Sequence, residues 1–398
     1  MADYLALDKM LEQNRQWLEN HGNTFPGNIL KPHGRTHTCL LFWKFAADEP
    51  SKRATREYLA SLVRTNNLTS ALQQNKDASA FKSSGREALF AGFYLSESGL
   101  LYFGWQEDEA GNLQGLNFLP DFLPSQHAEP AYQNQVDGLL CLAFGRQPAD
   151  RTELERHVRM YSKKFRKELG ATLVAVEWGG VLRNKKGQSV EAFGYADGLS
   201  QPLFFPSGNN GSTYQHWNPF SPTSVAAVEE ISKTPVGENT FGSYLAFLKL
   251  EQNVKAFKEL EEEIQARLTQ DGNVLKALPG EFAIGRDLKG KALAAKNGAS
   301  SNDFNYDNDP VGMKCPFHAH IRKMNPRKAA SPVPLIVRRG FPYGIQPGIY
   351  ENNGSAEKLP ESGAGLLFLS FQSNFESVVR LWQNGQDETG GADPLVGG

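Results

Sequence analysis

The chain has 398 residues, 40% of them hydrophobic, with 42 basic and 44 acidic residues and a formal net charge of −2. This length and composition can bury a core for one large domain or two ordinary ones, which excludes a disordered protein. The balanced charge disfavours nucleic acid and anionic membranes as partners, so any charge chemistry must come from local clusters.

Cysteine content and hydropathy indicate the compartment. The three cysteines, Cys39, Cys141 and Cys315, are few and far apart, which argues against a disulfide framework. The first residues are polar and acidic, whereas a signal peptide needs a basic start and an apolar core. The apolar runs are far shorter than the roughly 20 residues that cross a bilayer. We therefore expect a cytoplasmic protein without a transmembrane segment.

Helical and strand-like segments alternate in the first part of the chain. Helices are predicted from the N-terminus to about residue 21, at 52–64 and at 150–170. Strands are predicted at 38–45, 89–95, 100–105, 138–145 and 171–181, with the turn of a hairpin at Ser98–Gly99. His157, on the third helix, is expected to be a surface or hydrogen-bonded residue.

The pattern changes between residues 184 and 239, where the chain becomes polar and rich in Gly, Pro, Ser and aromatic residues. Loops of this length inside compact domains tend to be functional or disordered. Strands are then predicted at 243–250 and 365–371, and helices at 253–268 and 375–382. Apolar strands separated by amphipathic helices predict an α+β fold with helices over a mostly antiparallel sheet.

The residue run 315–344 holds the densest group of chemically active side chains. Its sequence, CPFHAHIRKMNPRKAASPVPLIVRRGFPYG, carries two imidazoles and four guanidinium groups between short apolar segments. Such a stretch can hold a metal or a haem iron beside an anion site, or it can be a basic surface loop. Composition alone leaves both interpretations open.

Asp197 is the candidate acid–base residue and stands in GYADGLSQP. Asp-Gly pairs commonly form tight turns, and this structural interpretation is favoured for the residue taken alone. The functional alternative is a carboxylate held by a fixed backbone so that it faces a cavity. A carboxylate in such a place can exchange protons with a bound substrate.

His318 and His320 flank Ala319, and only one of them is expected to bind iron. A neutral imidazole is the usual axial ligand of peroxidase haem, and its other nitrogen needs an acceptor. The acidic residues just before, Asp303, Asp307 and Asp309, are the candidate acceptors. The alternative is a solvated histidine pair on a loop.

Arg338 and Arg339 end the apolar run PLIV and precede GFPYG, so a strand end presents at least one guanidinium. An arginine supplies permanent positive charge where an anion or a polarised O–O bond develops. The alternative, a surface pair, is favoured more for Arg339 than for Arg338.

Several sequence boxes occur together and in order. They are the GxxDG box at Gly194–Gly198 with its SQP continuation, GSYLAFLKL, GRDLKG, CPFHAHIRKMNPR, RRGFPYG, GLLFLSFQ and ADPLVGG. With these boxes the chain resembles the dye-decolorising peroxidases, in the larger branch that includes fungal and some bacterial enzymes. The recognisable boxes run from about residue 137 to the end, whereas the first part matches only in pattern.

The resemblance implies a DyP-type dimeric α+β barrel, built from two ferredoxin-like halves with antiparallel sheets and peripheral helices. The halves are expected at 1–183 and 240–398, the second holding haem, with a polar region at 184–239 that carries the GxxDG box. One haem b per chain is implied.

The site residues implied by the resemblance are few. Asp197 matches the distal aspartate, and Arg338 matches the distal arginine, which also contacts the cofactor. His320 matches the proximal iron ligand, because the family pattern places histidine directly before Ile-Arg-Lys. Arg322 is implied as a contact of a haem propionate.

Two positions depart from the family pattern. Gly340 stands where the small bacterial branch has asparagine, so a distal amide is absent, and Leu248 replaces a usual arginine in the GSYLAFLKL strand. What these departures change in function is not decided by the sequence.

The implied activity is that of a haem peroxidase, which uses hydrogen peroxide to oxidise dyes, phenols and other aromatic donors. The alternatives are a haem-binding or haem-delivery protein with incidental peroxidase activity, or a protein that keeps the fold alone. Five aromatic residues are candidates for surface oxidation, although packing is the commoner role: Trp105, Trp178, Trp217, Trp382 and Tyr343. The physiological reductant and the oligomeric state are left open.

Overall fold

The computed structural model of the protein describes most of the chain. The described residues are 2–107, 109, 113, 116, 129–206, 216–228, 241–270, 277–295, 302–327, 335–346, 349–350 and 358–396. No helix within those ranges combines the length and the apolarity that a membrane crossing requires.

Helices and short strands alternate along the described chain. The helices are α1 Ala2–His21, α2 Glu49–Arg64, α3 Ala71–Ser84, α4 Glu97–Tyr102, α5 Arg151–Lys163, α6 Val254–Gln270, α7 Pro279–Ile284, α8 His320–Met324 and α9 Glu376–Gln386. The strands are β1 His37–Lys44, β2 Phe90–Leu95, β3 Gly138–Phe144, β4 Thr172–Gly180, β5 Leu182–Arg183, β6 Ser189–Val190, β7 Tyr244–Glu251, β8 Val337–Arg338, β9 Phe341–Tyr343 and β10 Gly365–Gln372.

The chain forms two compact units. The first contains residues 1–180, 222–245 and 371–375, and the second contains 181–221, 246–370 and 376–398. The division into halves at 183 and 240 that the sequence resemblance implies stays a prediction.

The first unit is built on a four-stranded antiparallel sheet with the order β2-β3-β1-β4. Strands β1 and β3 are buried along almost their whole length, which explains their continuous apolar sequences. Trp43 on β1 stacks on Phe165 with ring centroids 4.8 Å apart. These rings belong to the core that joins the sheet to the helices α2 and α5.

The predicted helices and strands are largely confirmed, but the expected hairpin is wrong. Residues 97–102 form helix α4, because the Ser96 hydroxyl caps the helix by accepting a bond from Gly99 N at 3.1 Å. Helix α3 was not predicted, since its sequence has no apolar stripe. It is fixed by the Ser70 cap and by Gly85, which ends it with a φ of +69°.

Strands β7, β10 and β8, whose residues lie mostly in the second unit, form a sheet in that order, and β9 pairs with β10. Leu366 lies opposite Pro342 and Leu367 opposite Phe341, so alternate residues face opposite sides. One face is buried: Val337, Leu367 and Leu369 are at most 1% exposed. Arg338, on the other face, is half-buried. The helices and antiparallel sheets confirm the α+β class.

Candidate functional site

His320 is held by a buried carboxylate from the end of the chain. It begins helix α8, and its Nδ1 lies 2.7 Å from Oδ2 of Asp393, 73 residues later. The Asp393 side chain is 0% exposed, whereas that of His320 is 27% exposed. An ionised carboxylate only accepts hydrogen bonds, so Nδ1 is the donor of this bond, and in the neutral ring Nε2 carries the lone pair.

Asp393 is itself fixed by the backbone. Its Oδ1 accepts a bond from Leu395 N at 2.9 Å, and its own N donates to Gly385 O at 2.8 Å. Residues 385 and 393–395 are therefore folded around the carboxylate that orients His320. A hydrogen-bond acceptor on the non-ligating nitrogen keeps a ligating imidazole in one tautomer and one orientation.

The structure corrects the acceptor expected for the His320 ring. The three acidic residues that precede it in the sequence bond elsewhere. Asp303 accepts from His216 N and Trp217 N, Asp307 accepts from Asn305, and Asp309 accepts from Lys314 N, Cys315 N and Arg322. The ADPLVGG box, which contains Asp393, was the sequence signal for the true acceptor.

Arg322 lies in the same helix as His320, but its side chain is buried and bonds to the loop before the helix. Its Nη1 donates to Asp309 Oδ2 at 2.9 Å and to Cys315 O at 2.6 Å, and its Nη2 donates to Asp309 O at 2.8 Å. The guanidinium also lies 4.5 Å from the centre of the Tyr306 ring. Arg322 thus fixes the loop before α8, and its predicted contact with a haem propionate stays a prediction.

His318 and His320 lie against different residues of the segment 391–393. His318 precedes helix α8 and lies beside Gly391, where an added Cβ would come within 3.2 Å of the His318 Cβ. His320, by contrast, is the residue bonded to Asp393. The two imidazoles therefore occupy different surroundings.

Asp197 lies on a tight, glycine-dependent turn. Its Oδ1 accepts a bond from Gly198 N at 2.6 Å, and its own N donates to Ser189 O at 3.1 Å. Gly194 and Gly198 have φ values of +91° and +77°, a region that other residues rarely adopt. The predicted turn is confirmed, and it holds the half-buried carboxylate on a fixed backbone.

Arg338 is attached to the same loop. Its Nη2 donates to Leu199 O at 2.9 Å, and its backbone N donates to Gln201 Oε1 at 3.1 Å. The predicted distal arginine is therefore bonded to Leu199, which follows Asp197 by two residues in the chain. The predicted arginine and aspartate belong to one hydrogen-bonded assembly.

The alternative prediction, that Arg339 is a surface residue, is wrong. Arg339 is only 9% exposed, and its N donates to Leu369 O at 2.7 Å within the sheet. Strand alternation places it on the face opposite Arg338.

A turn that sequence analysis left without a role packs against both parts of the site. An added Cβ on Gly285 would lie 2.6 Å from Ile321 Cγ1, beside His320. An added Cβ on Gly290 would lie 3.0 Å from Ala196 Cβ, beside Asp197. Both glycines have positive φ. The segment 285–290 is thus a common support for the two predicted site segments.

The departure at Gly340 has a steric cause. An added Cβ would lie 2.7 Å from Leu367 O and 3.1 Å from Phe368 Cα. These are backbone atoms of β10, which cannot move aside as a side chain can. The sheet therefore leaves no room for the asparagine of the small bacterial branch.

Three of the five candidate aromatic residues have cations over their rings. Arg151 lies 3.9 Å from the Trp178 ring centre, Arg327 lies 4.8 Å from that of Trp217, and Lys249 lies 5.2 Å from that of Tyr343. Tyr343 is only 9% exposed. A surface role in oxidation stays a prediction for each.

The side chains of the site fit a haem iron, most of whose ligands come from the haem itself, better than a bare metal ion. Within the described ranges, no group of three or more His, Cys, Asp or Glu residues is placed to hold a bare metal ion. A haem iron needs only one protein nitrogen on its proximal side. His320, whose Nδ1 is held by a buried carboxylate, is the predicted source of that nitrogen.

No family model matches the chain. Individual proteins of known sequence or structure do match it. It is 31% identical over 401 residues to a multifunctional dye peroxidase of Amycolatopsis, covering 93% of this chain and 84% of the relative. It is 27% identical to a dye-decolorising peroxidase of Mycena epipterygia, over 68% of this chain and 56% of that one.

The crystal structure of an Anabaena DyP-type peroxidase superposes with a TM-score of 0.77. The two chains are 29% identical, and the match covers 96% of this chain and 85% of the other. Fold and sequence therefore agree: the chain belongs to the dye-decolorising peroxidase family. The enzyme class and the DyP-type α+β fold expected from the sequence are confirmed.

Glu191, in the hairpin before Asp197, gives a testable pH dependence. Burial, with a smaller effect of the Asp197 charge, raises the pKa of Glu191 from 4.5 to about 7. The folded protein holds this proton more tightly than the unfolded chain, so stability is lost as the pH rises from 4.5 to about 7. We expect wild type to lose about 3 kcal/mol relative to Glu191→Gln across that interval.

Urea unfolding of both proteins at several pH values measures this difference. Glu388→Gln, at an exposed position, is the matched control and should follow wild type. Parallel stability curves for wild type and Glu191→Gln would show that Glu191 is ionised in the folded protein throughout.

Proposed function

We propose that the protein is a haem b peroxidase, with one haem per chain bound through His320. Hydrogen peroxide is the oxidant, and dyes, phenols and other aromatic molecules are the electron donors. The observation that carries the proposal is the pair of fixed groups: His320 oriented by buried Asp393, and Arg338 bonded to the loop of Asp197.

The proximal part of the mechanism belongs to His320 and Asp393. Haem, when bound, supplies the iron at which peroxide is reduced, and it accepts the electrons of the donors. The Asp393 carboxylate keeps the proton on His320 Nδ1 and fixes the ring so that Nε2 is the nitrogen presented to the iron. Because Asp393 is fully buried, water does not compete for this bond.

The distal part belongs to Asp197 and Arg338. Asp197 takes a proton from one peroxide oxygen and returns it to the other, so that the second oxygen leaves as water. Arg338 contributes a permanent positive charge as the O–O bond breaks, and it exchanges no proton. The fixed turn and the Leu199 carbonyl position both groups before the reaction begins.

The donor class and the compartment are parts of the same proposal. The Amycolatopsis relative is a dye peroxidase, and a dye-decolorising peroxidase with the same fold forms a complex with 2,6-dimethoxyphenol. Both support aromatic donors. The three cysteines are buried and unpaired, which supports the expected cytoplasmic location.

Replacing the two histidines separately tests the ligand. We expect His320→Ala to lose stable haem binding, because it removes the imidazole that Asp393 orients. His318→Ala is the matched control and should retain the haem absorption band near wild-type intensity. Haem titration of each apoprotein, followed by absorption, measures this. Haem loss in His318→Ala alone would contradict the assignment.

Replacing the distal residues tests the chemistry. Asp197→Asn should slow the reaction with peroxide about 10²- to 10⁴-fold, since it removes the acid–base group. Arg338→Leu should slow it about 10²- to 10³-fold, since it removes the charge. Stopped-flow absorption gives the second-order rate constant.

Two exposed residues offer controls of the same chemical change. Asp307→Asn and Arg183→Leu should react with peroxide like wild type. Normal haem binding with unchanged peroxide kinetics in Asp197→Asn and Arg338→Leu would instead favour the alternative, a haem-binding or haem-delivery protein.

A further inference from the structure

Ser200 has an unusual backbone conformation between two residues that hold Arg338. Its φ is +58°, in the left-handed region that non-glycine residues seldom occupy. Such a conformation is energetically unfavourable and persists only where the surroundings impose it. Something in the structure must therefore stabilise Ser200 in this state.

The Ser200 side chain lies at the centre of a buried hydrogen-bond cluster. Its Oγ accepts from Arg286 Nη2 at 2.7 Å and from Arg327 Nη2 at 3.2 Å, and it also bonds to Asn302 Oδ1. Asn302 Oδ1 accepts from the same two nitrogens, at 3.2 Å and 2.7 Å. We call Ser200, Arg286, Asn302 and Arg327 the Ser200 cluster.

The Nη1 nitrogens of both arginines are bonded to the backbone. Arg286 Nη1 donates to Gly290 O at 2.7 Å, and Arg327 Nη1 donates to Asn302 O and Phe304 O at 2.8 and 2.7 Å. Each guanidinium thus joins Ser200 to a separate stretch of chain: Arg286 to the 285–290 turn, and Arg327 to the segment after α8. The loop of Asp197 is tied to both.

The cluster places two like charges in a buried position. Arg286 is 4% exposed and Arg327 is 8% exposed. Burial lowers the pKa of Arg286 to about 10 and that of Arg327 to about 9, so both remain cationic at neutral pH. Buried charges are retained only where hydrogen bonds compensate them, and here Ser200 accepts bonds from both.

The residues on either side of Ser200 bind Arg338. The Leu199 carbonyl accepts from its guanidinium, and the Gln201 side chain accepts from its backbone N. The direction of the Leu199 carbonyl depends on the backbone angles of the residues beside it. The conformation of Ser200 is therefore linked to the position of the Arg338 guanidinium.

We propose that Ser200, held by Arg286 and Arg327, is a positioning residue for the distal arginine: its hydroxyl fixes the left-handed turn that aims the Leu199 carbonyl at Arg338. The inference rests on the proposed function, because it assigns Arg338 the role of stabilising an anion at the haem iron. Ser200 acts through Arg338 and has no contact of its own with the reacting atoms.

A double-mutant cycle with fluoride as the probe tests this. Fluoride binding to the haem-loaded ferric protein reports the distal positive charge without turnover. We expect Ser200→Ala to weaken fluoride binding about tenfold, as for loss of one well-placed charged hydrogen bond. In the Arg338→Leu background the same change should have no further effect, because non-additivity marks residues that act as one unit.

The control is Ser84→Ala, whose hydroxyl donates to Ala80 O on an exposed helix. It should leave the fluoride dissociation constant unchanged. Equal effects of Ser200→Ala with and without Arg338 would overturn the proposal, as would no effect of Ser200→Ala in the wild-type background. If Arg338→Leu itself leaves fluoride binding unchanged, the proposed function of Arg338 fails.

A crystal structure of Ser200→Ala tests the positioning step without haem chemistry. The bond between Arg338 Nη2 and Leu199 O should be lost, and its retention would overturn the proposal. If Ser200→Ala does not fold, Ser200→Gly serves in its place, because glycine accepts the positive φ while removing the hydroxyl. Its fluoride binding should be weakened likewise.

Discussion

The bond between His320 and Asp393 is the constraint on which the site depends. A fully buried carboxylate is strongly destabilising unless it is paired and hydrogen-bonded. Here it is bonded to the His320 ring and to Leu395 N, so the end of the chain is folded against helix α8. The same bond assigns the proton to Nδ1. One interaction thus supplies local stability and the tautomer, and it leaves Nε2 as the predicted ligand nitrogen.

The distal groups depend on a second set of buried charges. Arg338 is bonded to the loop of Asp197, and that loop is joined through Ser200 to Arg286 and Arg327. Arg327 follows helix α8 by three residues, and Gly285 packs against Ile321 in the same helix. The helix that carries the predicted iron ligand and the loop that carries the predicted acid therefore share their supports.

Local sequence patterns predicted the strands with continuous apolar runs, the amphipathic helices and the glycine-dependent turn at Asp197. They failed at 100–105, where the Ser96 cap favours a helix over an apolar strand. They also missed Asp393 and the Ser200 cluster. Those partners are 73 residues from His320 and 86 and 127 residues from Ser200. The ADPLVGG box marked the segment of Asp393, but a local pattern does not state which distant residue that segment contacts.

The haem dissociation constant of Asp393→Asn tests the central claim most directly. The amide keeps the size of the side chain but removes the charge that holds the Nδ1 proton. The account predicts an affinity about 10- to 100-fold weaker than that of wild type. Asp307→Asn, at an exposed position, should bind haem like wild type. Equal haem affinity of Asp393→Asn and wild type would contradict the account.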